Sequence, residues 1–192
     1  MANIQTLKHG LKIKKGLTLT LCISIIFVST NLKAEDVSTI ERSGDMIQYA
    51  IPTLAFTTTV LLKDWQGSRQ FMTSFVANSI VTFGLKAVVE KQRPDGSNYN
   101  SFPSGHTSSA FQGASFIQAR YGWKYGAVAY FLSASYVGFS RIHSKKHDFI
   151  DVCSGALIGI TSNYYLVSNR DNVSASPIFE PGILGLNLSY KW

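Results

Sequence analysis

The chain is poor in cysteine. Of its 192 residues, only Cys22 and Cys153 carry thiols. Cys22 falls in an N-terminal stretch that reads as an export signal, so the remainder has one cysteine and no internal disulfide framework. Leu21 is too large to precede a lipid-modified cysteine, which removes a lipoprotein reading of Cys22. Cys153, within VCSGALIGI, is expected to be a small packed residue rather than a catalytic one. Acidic residues are also scarce, 11 against 18 Lys and Arg, and the first 34 residues contain none. Lys8, Lys12, Lys14, Lys15 and Lys33 lie in that segment; subtracting these five takes the formal charge from +7 to +2. The basicity therefore belongs to the N-terminus. With no basic–aromatic stripe or RNA-binding motif elsewhere, no nucleic-acid partner is expected. Internal repeats and low-complexity tracts are missing too. After the N-terminus, the apolar runs fall short of the about 20 residues a bilayer crossing asks for, and Ser, Thr, Gln and Asn interrupt them.

What is present begins with a signal. A basic KHGLKIKK precedes an apolar GLTLTLCISIIFV, and the more polar STNLKA places Leu32 and Ala34 at the minus-three and minus-one positions. Residues 1–34 are read as a signal peptide cleaved after Ala34, with an uncleaved signal anchor as the alternative. Either sends the rest across a membrane. The length allows one domain, over 35–170, followed by a tail over 171–192. Five apolar segments occupy the domain, roughly Met46–Leu62, Phe71–Val89, Thr107–Ala119, Tyr125–Phe139 and Phe149–Val167. Their lengths and lack of strict alternation predict helices. Pro52 should sit in the first turns of its helix or kink it. Breaks fall at KDWQGSR, RPDGSNYNSFP and ARYGWK. The fold class is all-α, a bundle of about five to six helices. In the tail, ILGLNLSYKW alternates like one short strand. A single strand cannot close an outer-membrane barrel, which needs about eight, so the tail is read as packing on the helices.

The chemistry gathers between residues 86 and 151. KAVVEKQRP carries Lys86 and Arg93; PSGH runs from Pro103 to His106; SRIHSKKHDFID carries Arg141, His147 and Asp151. Three cations, two imidazoles, a carboxylate and a glycine turn form an inventory for holding a phosphate-like anion and attacking it. Lys86 and Arg93 are seven apart, on one face of a helix that Pro94 would end at Arg93. His147 and Asp151 are four apart, so on a helix the carboxylate would fix the imidazole tautomer. Gly105 precedes a helix-compatible run, and a glycine turn at a helix N-terminus offers backbone N–H groups to an anion. Taken singly, each of these residues has a duller reading, a solvated charge or a surface histidine. His143, Lys145 and Lys146 are given that duller reading.

The joint pattern K-x6-RP, PSGH, SR-x5-H-x3-D resembles the three-part signature of the type 2 phosphatidic acid phosphatase (PAP2) superfamily. That group includes bacterial class A acid phosphatases, membrane lipid phosphatases and vanadium haloperoxidases, and it implies an acid phosphatase/haloperoxidase-like helical core. The resemblance implies that Lys86, Arg93 and Arg141 clamp phosphate oxygens, with hydrogen bonds from Ser104 and the Gly105 amide. It implies His147 as the nucleophile, Asp151 as its orienting carboxylate and His106 as the acid that protonates the leaving oxygen. No cofactor or metal is expected, and vanadate should inhibit by mimicking phosphate.

The expected function is metal-independent hydrolysis of a phosphomonoester or pyrophosphate, on a lipid or a small molecule. The alternatives are a vanadate-dependent haloperoxidase, for which the chain is short, and a non-catalytic helical membrane protein with an anion site. Six apolar segments, counting the signal, match the six spans of membrane lipid phosphatases of this family, with the motifs at corresponding places. With a cytoplasmic N-terminus, Lys63, Arg69, Arg120 and Lys124 fall inside and all three motifs outside. The expected location is therefore a membrane, with the site on the periplasmic side; a soluble periplasmic enzyme is the alternative.

Overall fold

The apolar segments become five helices in the structure, a computed structural model that describes residues 37–170, 173–180 and 183–190. The proposed signal peptide, with Cys22, lies outside the described residues. The helices are α1 (Val37–Leu61), α2 (Trp65–Val88), α3 (Gly105–Tyr121), α4 (Ala127–His143) and α5 (Phe149–Leu166), with a 3₁₀ turn at Trp123–Tyr125. All-α is thus the class of the domain. Short side chains start three of the helices. Asp64 accepts from Gly67 N at 2.9 Å, and Ser104 accepts from Thr107 N at 3.4 Å. Asp148 and Asp151 close a reciprocal capping box, Asp151 N donating to Asp148 and Asp148 N to Asp151. Each cap satisfies an otherwise orphaned amide and contributes about 1 kcal/mol.

Helix α1 begins at Val37, well before the Met46 at which its apolar pattern starts. Residues 37–45 carry Glu41, Arg42 and Asp45 and give no apolar signal; bonds to α4 hold them instead. Pro52 consequently lies in mid-helix, not in a first turn. There α1 meets α3 closely: a Cβ on Gly113 would stand 2.9 Å from Pro52 Cα.

The side-chain distribution is inverted relative to a water-soluble bundle. Among the described residues, buried polar and charged side chains outnumber buried apolar ones. A ladder of them links α2, α3 and α5. Thr82 and Ser108 hydroxyls pair at 2.9 Å, Ser108 donates to Asn78 at 2.7 Å, and Gln112 donates to Ser74 at 3.0 Å. Asn163 donates to Ser115 Oγ and to the Gln112 carbonyl, both at 2.6 Å. Gly155 and Gly159 make the α3–α5 contact possible, since a Cβ at either would collide with α3 backbone. Large apolar side chains point outward instead: Phe83, Leu132 and Leu157 are each about two-thirds exposed. Small residues at the crossings and polar groups as interhelical glue suit a bundle whose surroundings are themselves apolar. Cys153 also faces outward and is exposed, which corrects the expectation of a packed thiol; its helix presents an outer face there, not a seam.

Successive helices reverse direction, so two sets of helix ends form. At one end, Arg120 is locked onto Asp64, Nε to Oδ2 at 2.8 Å and NH2 to Oδ1 at 2.7 Å. Tyr121 donates to the same carboxylate, and Arg120 NH1 donates to the Ser168 carbonyl at 2.8 Å. Both charges are buried. The three sequence motifs lie at the other end. The tail departs from the single-strand expectation: Val173–Glu180 pairs antiparallel with Ile183–Tyr190, from Val173↔Tyr190 to Glu180↔Ile183. Pro177 conceals the first strand in the sequence, because proline demotes a run that otherwise reads as a strand.

Candidate active site

Lys86 stands in the last turn of α2, and its Nζ donates to the Asn100 carbonyl at 2.7 Å. Arg93 does not share that helix, contrary to the seven-residue spacing. The helix stops at Val88, and residues 89–104 double back on themselves. Arg93 N donates to the Asn98 carbonyl and Ser101 N to the Lys91 carbonyl, both at 2.9 Å. Pro94 disfavours helix at Arg93 itself; the helix has already ended at Val88, with the Val89 N–H on the Leu85 carbonyl. The loop still delivers the Arg93 guanidinium to the same end of the bundle, where its Nε is buried with no hydrogen-bond partner.

Ser104 is the N-cap of α3 and fully buried. Its hydroxyl lies 2.9 Å from Thr107 Oγ1, and its backbone N donates to the Asp151 carbonyl at 2.9 Å. In this structure Ser104 is spent on starting α3 and joining it to α5, rather than on offering a free hydroxyl. Gly105 follows as the first residue of α3. A Cβ there would stand 3.6 Å from Lys86 Cε, so the helix N-terminus and the Lys86 stem are neighbours. First-turn amides lack intrahelical acceptors and favour an anion.

Arg141 is buried near the end of α4. It donates to Asp45 Oδ1 at 2.8 Å and to the Glu41 carbonyl at 2.6 Å. His106 Nε2 meets the same Asp45 oxygen at 3.0 Å. His143 is exposed and stacks on Phe139, in keeping with its surface reading. Lys146 pairs with Asp95 at 2.9 Å.

His147 is not one turn below Asp151 on a helix. It immediately precedes the Asp148 cap, is 2% exposed, and places Nδ1 3.8 Å from Asp151 Oδ2 without a hydrogen bond. The Asp151 oxygens are taken by other donors: Lys91 Nζ at 2.7 Å, the Ser101 hydroxyl and Asp148 N at 3.1 Å. Asp151 thus acts on His147 through its charge in this structure, and not by holding its tautomer. Burial above all, then the facing Lys86 and Arg93 cations, lower His147 to about 4, against the weaker pull of the Ser101 carbonyl and Asp151. The ring is therefore neutral and holds a free lone pair at ordinary pH, as a nucleophile requires. Turnover per free enzyme, kcat/KM, is expected to fall as pH drops through about 4. Replacing Lys86 by methionine removes a repelling charge and should move that acid limb to higher pH; an unmoved limb would detach it from His147.

Arg93 closes the arrangement, because its charge acts on both imidazoles and on Lys86. The structure thus brings together Lys86, Arg93, Gly105, His106, Arg141, His147 and Asp151, with Ser104 beneath them. Sequence reasoning missed Asp45, Lys91, Ser101 and Asp148. Only Asp148 left a local signal, the three-residue spacing of a capping box. Lys91 donates to both Asp148 and Asp151. Burial works against its charge, but these bonds hold its ammonium above the ordinary range.

The PAP2 superfamily pattern matches residues 67–173. The chain belongs to the PAP2 superfamily. Among PAP2 relatives, a lipid A 4'-phosphatase of Helicobacter pylori is 26% identical over 80% of this chain and 82% of its own length. A lipid A 1-phosphatase of Porphyromonas gingivalis is 44% identical over 35% of this chain, a match that spans 16% of that protein. The crystal structure of Aquifex aeolicus LpxE shares the fold, with a TM-score of 0.59 at 19% identity over 74% of this chain and 92% of that one. With PAP2 membership and these relatives, the protein is a phosphatase. Every motif residue lies inside the matched region; Asp45 lies outside it.

Proposed function

We propose that this phosphatase removes phosphate from a phosphorylated lipid at a membrane surface, through a phosphohistidine formed on His147. The observation that carries the reading is the pair of buried, unpartnered nitrogens, His147 Nδ1 and Arg93 Nε, at the bundle end where Lys86, Arg141 and His106 gather. Buried polar atoms are nearly always paired, and a tetrahedral oxyanion would supply the missing acceptor for the Arg93 N–H. His147 donates its lone pair to phosphorus as the bond to the leaving oxygen breaks. His106 gives that oxygen a proton. A water then attacks phosphorus, loses its proton to His106, and the P–N electron pair returns to His147 as inorganic phosphate leaves. Lys86, Arg93 and Arg141 offset the charge on the equatorial oxygens throughout. The cycle calls on no metal, and vanadate should compete with substrate.

The lipid assignment rests on the apolar exterior. Helix α2, Trp65–Val88, is long and apolar enough to cross a membrane. At the end opposite the site, exposed Trp65, Trp123, Tyr164 and Tyr165 resemble the aromatic belt that settles at headgroup level. Lys63 and Arg69 are exposed beside them, which favours placing that end on the cytoplasmic side and the site on the periplasmic side. Arg120, buried against Asp64, drops out of that charge count. The names of the relatives point to a bacterial lipid phosphate such as lipid A.

The test is phosphate release from a panel that spans lipid A, phosphatidic acid and phosphatidylglycerol phosphate in mixed micelles, with water-soluble phosphate esters alongside. Lipid substrates are expected to exceed soluble esters in kcat/KM by at least about 100-fold, as remote acyl binding is realised in the transition state. Equal turnover of soluble esters would contradict the lipid reading.

A further inference from the structure

One carboxylate at the site belongs to no motif. Asp45 sits on α1, outside the region the family pattern covers. A single oxygen of it reaches His106 Nε2 at 3.0 Å and Arg141 NH1 at 2.8 Å. The fold invests in this placement. Gly44 lets α1 lie directly on α4, because a Cβ there would collide with Ser140 Oγ. The Glu41 carbonyl accepts from Arg141 NH2 at 2.6 Å, and Ser43 Oγ lies 2.7 Å from Tyr136 OH. Three contacts thus fix the turn that carries Asp45.

The charges around His106 explain what the carboxylate could do. Burial first, then Arg141 facing the ring from α4 and Arg93 from the loop after α2, oppose a second proton on the imidazole and hold it below the ordinary histidine range. Asp45, from α1, is the anion that acts in the other direction. An acid that must protonate a leaving alkoxide has to carry that second proton when the P–O bond breaks. We infer that Asp45 is the positioning residue for His106, holding its Nε2–H and sustaining the imidazolium that delivers the proton to the leaving oxygen. This rests on the phosphatase reading above. It adds a His106–Asp45 pair to His147 with its own carboxylate, so that α1 completes a site otherwise built from the motif segments.

Leaving-group chemistry separates this role from bracing. A long-chain alkyl phosphate expels a poor leaving group that needs the proton, whereas p-nitrophenyl phosphate expels a phenolate that does not. With the full chain in detergent micelles, Asp45→Asn is expected to lower kcat about tenfold or more on hexadecyl phosphate. On p-nitrophenyl phosphate the loss should be less than about threefold, since the acid is not needed there. The alkaline limb of kcat on the alkyl substrate should move about one unit toward acid, because removing the anion favours the neutral ring. Ser43→Ala, which loosens the same turn without touching the charge, should leave that limb and the ratio between substrates unchanged. Equal losses on both substrates with an unmoved limb, or the same profile from Ser43→Ala, would make Asp45 a brace and overturn the inference. The unsubstituted protein provides a reading that needs no variant to fold. With inorganic phosphate bound, ¹⁵N NMR should find the His106 ring doubly protonated at the pH of best alkyl turnover; a neutral ring there overturns the inference. No phosphate release by the unsubstituted protein from either substrate would instead sink the phosphatase reading, and the inference with it.

Discussion

His147→Gln is expected to abolish turnover while leaving a folded protein that still binds phosphate. The loss in kcat should be at least about 10⁴-fold, the range seen when an attacking nucleophile is removed from an intact site. Folding should survive for a specific reason. His147 Nδ1 makes no hydrogen bond, so its removal orphans no partner there, and glutamine is close in volume. Its backbone, which donates to the Arg141 carbonyl at 3.2 Å, is untouched. Lys86, Arg93 and Arg141 remain, so inorganic phosphate should still inhibit binding of a substrate analogue with a Ki within about tenfold of the original, since these cations supply most of the anion affinity. Residual turnover near the original rate would remove His147 from the chemistry. Loss of both turnover and phosphate binding would point to a collapsed site. The comparison is a steady-state assay paired with equilibrium phosphate binding on the same preparation.

The largest expected stability effect lies at the opposite end of the bundle. Asp64→Ala leaves Arg120, 2% exposed, without its anion, and should cost about 3–5 kcal/mol, the usual penalty for an uncompensated buried charge. The carboxylate also accepts from Gly67 N and Tyr121 OH, so the helix α2 cap and a tyrosine are lost with it. The double variant Asp64→Leu/Arg120→Met should recover the part of that loss due to the unpaired buried charge, because a buried ion pair and a well-packed apolar pair are often close in free energy, but not the part due to the α2 cap and the Tyr121 bond. Chemical denaturation in detergent would measure both. The folded fraction of each should keep its kcat, since the pair sits at the far end from His147. A loss below about 1 kcal/mol for Asp64→Ala would mean that water reaches Arg120 and that the pair is a surface pair in effect.

The helices and the motif residues were legible in the sequence for different reasons. Segments such as Phe149–Val167 read as helices from length and composition alone, and the structure ends that helix at Leu166. The motif residues read through type and order, with no contact needing to be known. Local geometry was less legible. Lys86 and Arg93 have helical spacing, and so do His147 and Asp151, yet neither pair shares a helix. In the first case the Asn98 carbonyl of the doubled-back loop takes the Arg93 N–H; in the second the Asp148 cap, inside the segment, starts α5 only after His147. Asp45 and Lys91 were invisible because their partners are distant in sequence. Asp45 meets Arg141 across 96 positions, and Lys91 meets Asp148 across 57. Burial misled as well. A chain whose polar side chains turn inward gives Gln112 and Asn163 no pattern by which to be recognised as interior. Cys153, among apolar neighbours, reads as packed for the same reason and is exposed.

Whether a covalent bond forms on His147 can be asked directly. The full-length protein is mixed with a lipid phosphate, quenched with alkali within one turnover, in which phosphohistidine survives, and digested for mass spectrometry of the peptide that carries residues 141–151. A phosphoryl group on His147, appearing and decaying at rates that match turnover and missing from His147→Gln, is the expected result. Full turnover with no phosphoryl group on that ring, or with the label on another side chain, would contradict it.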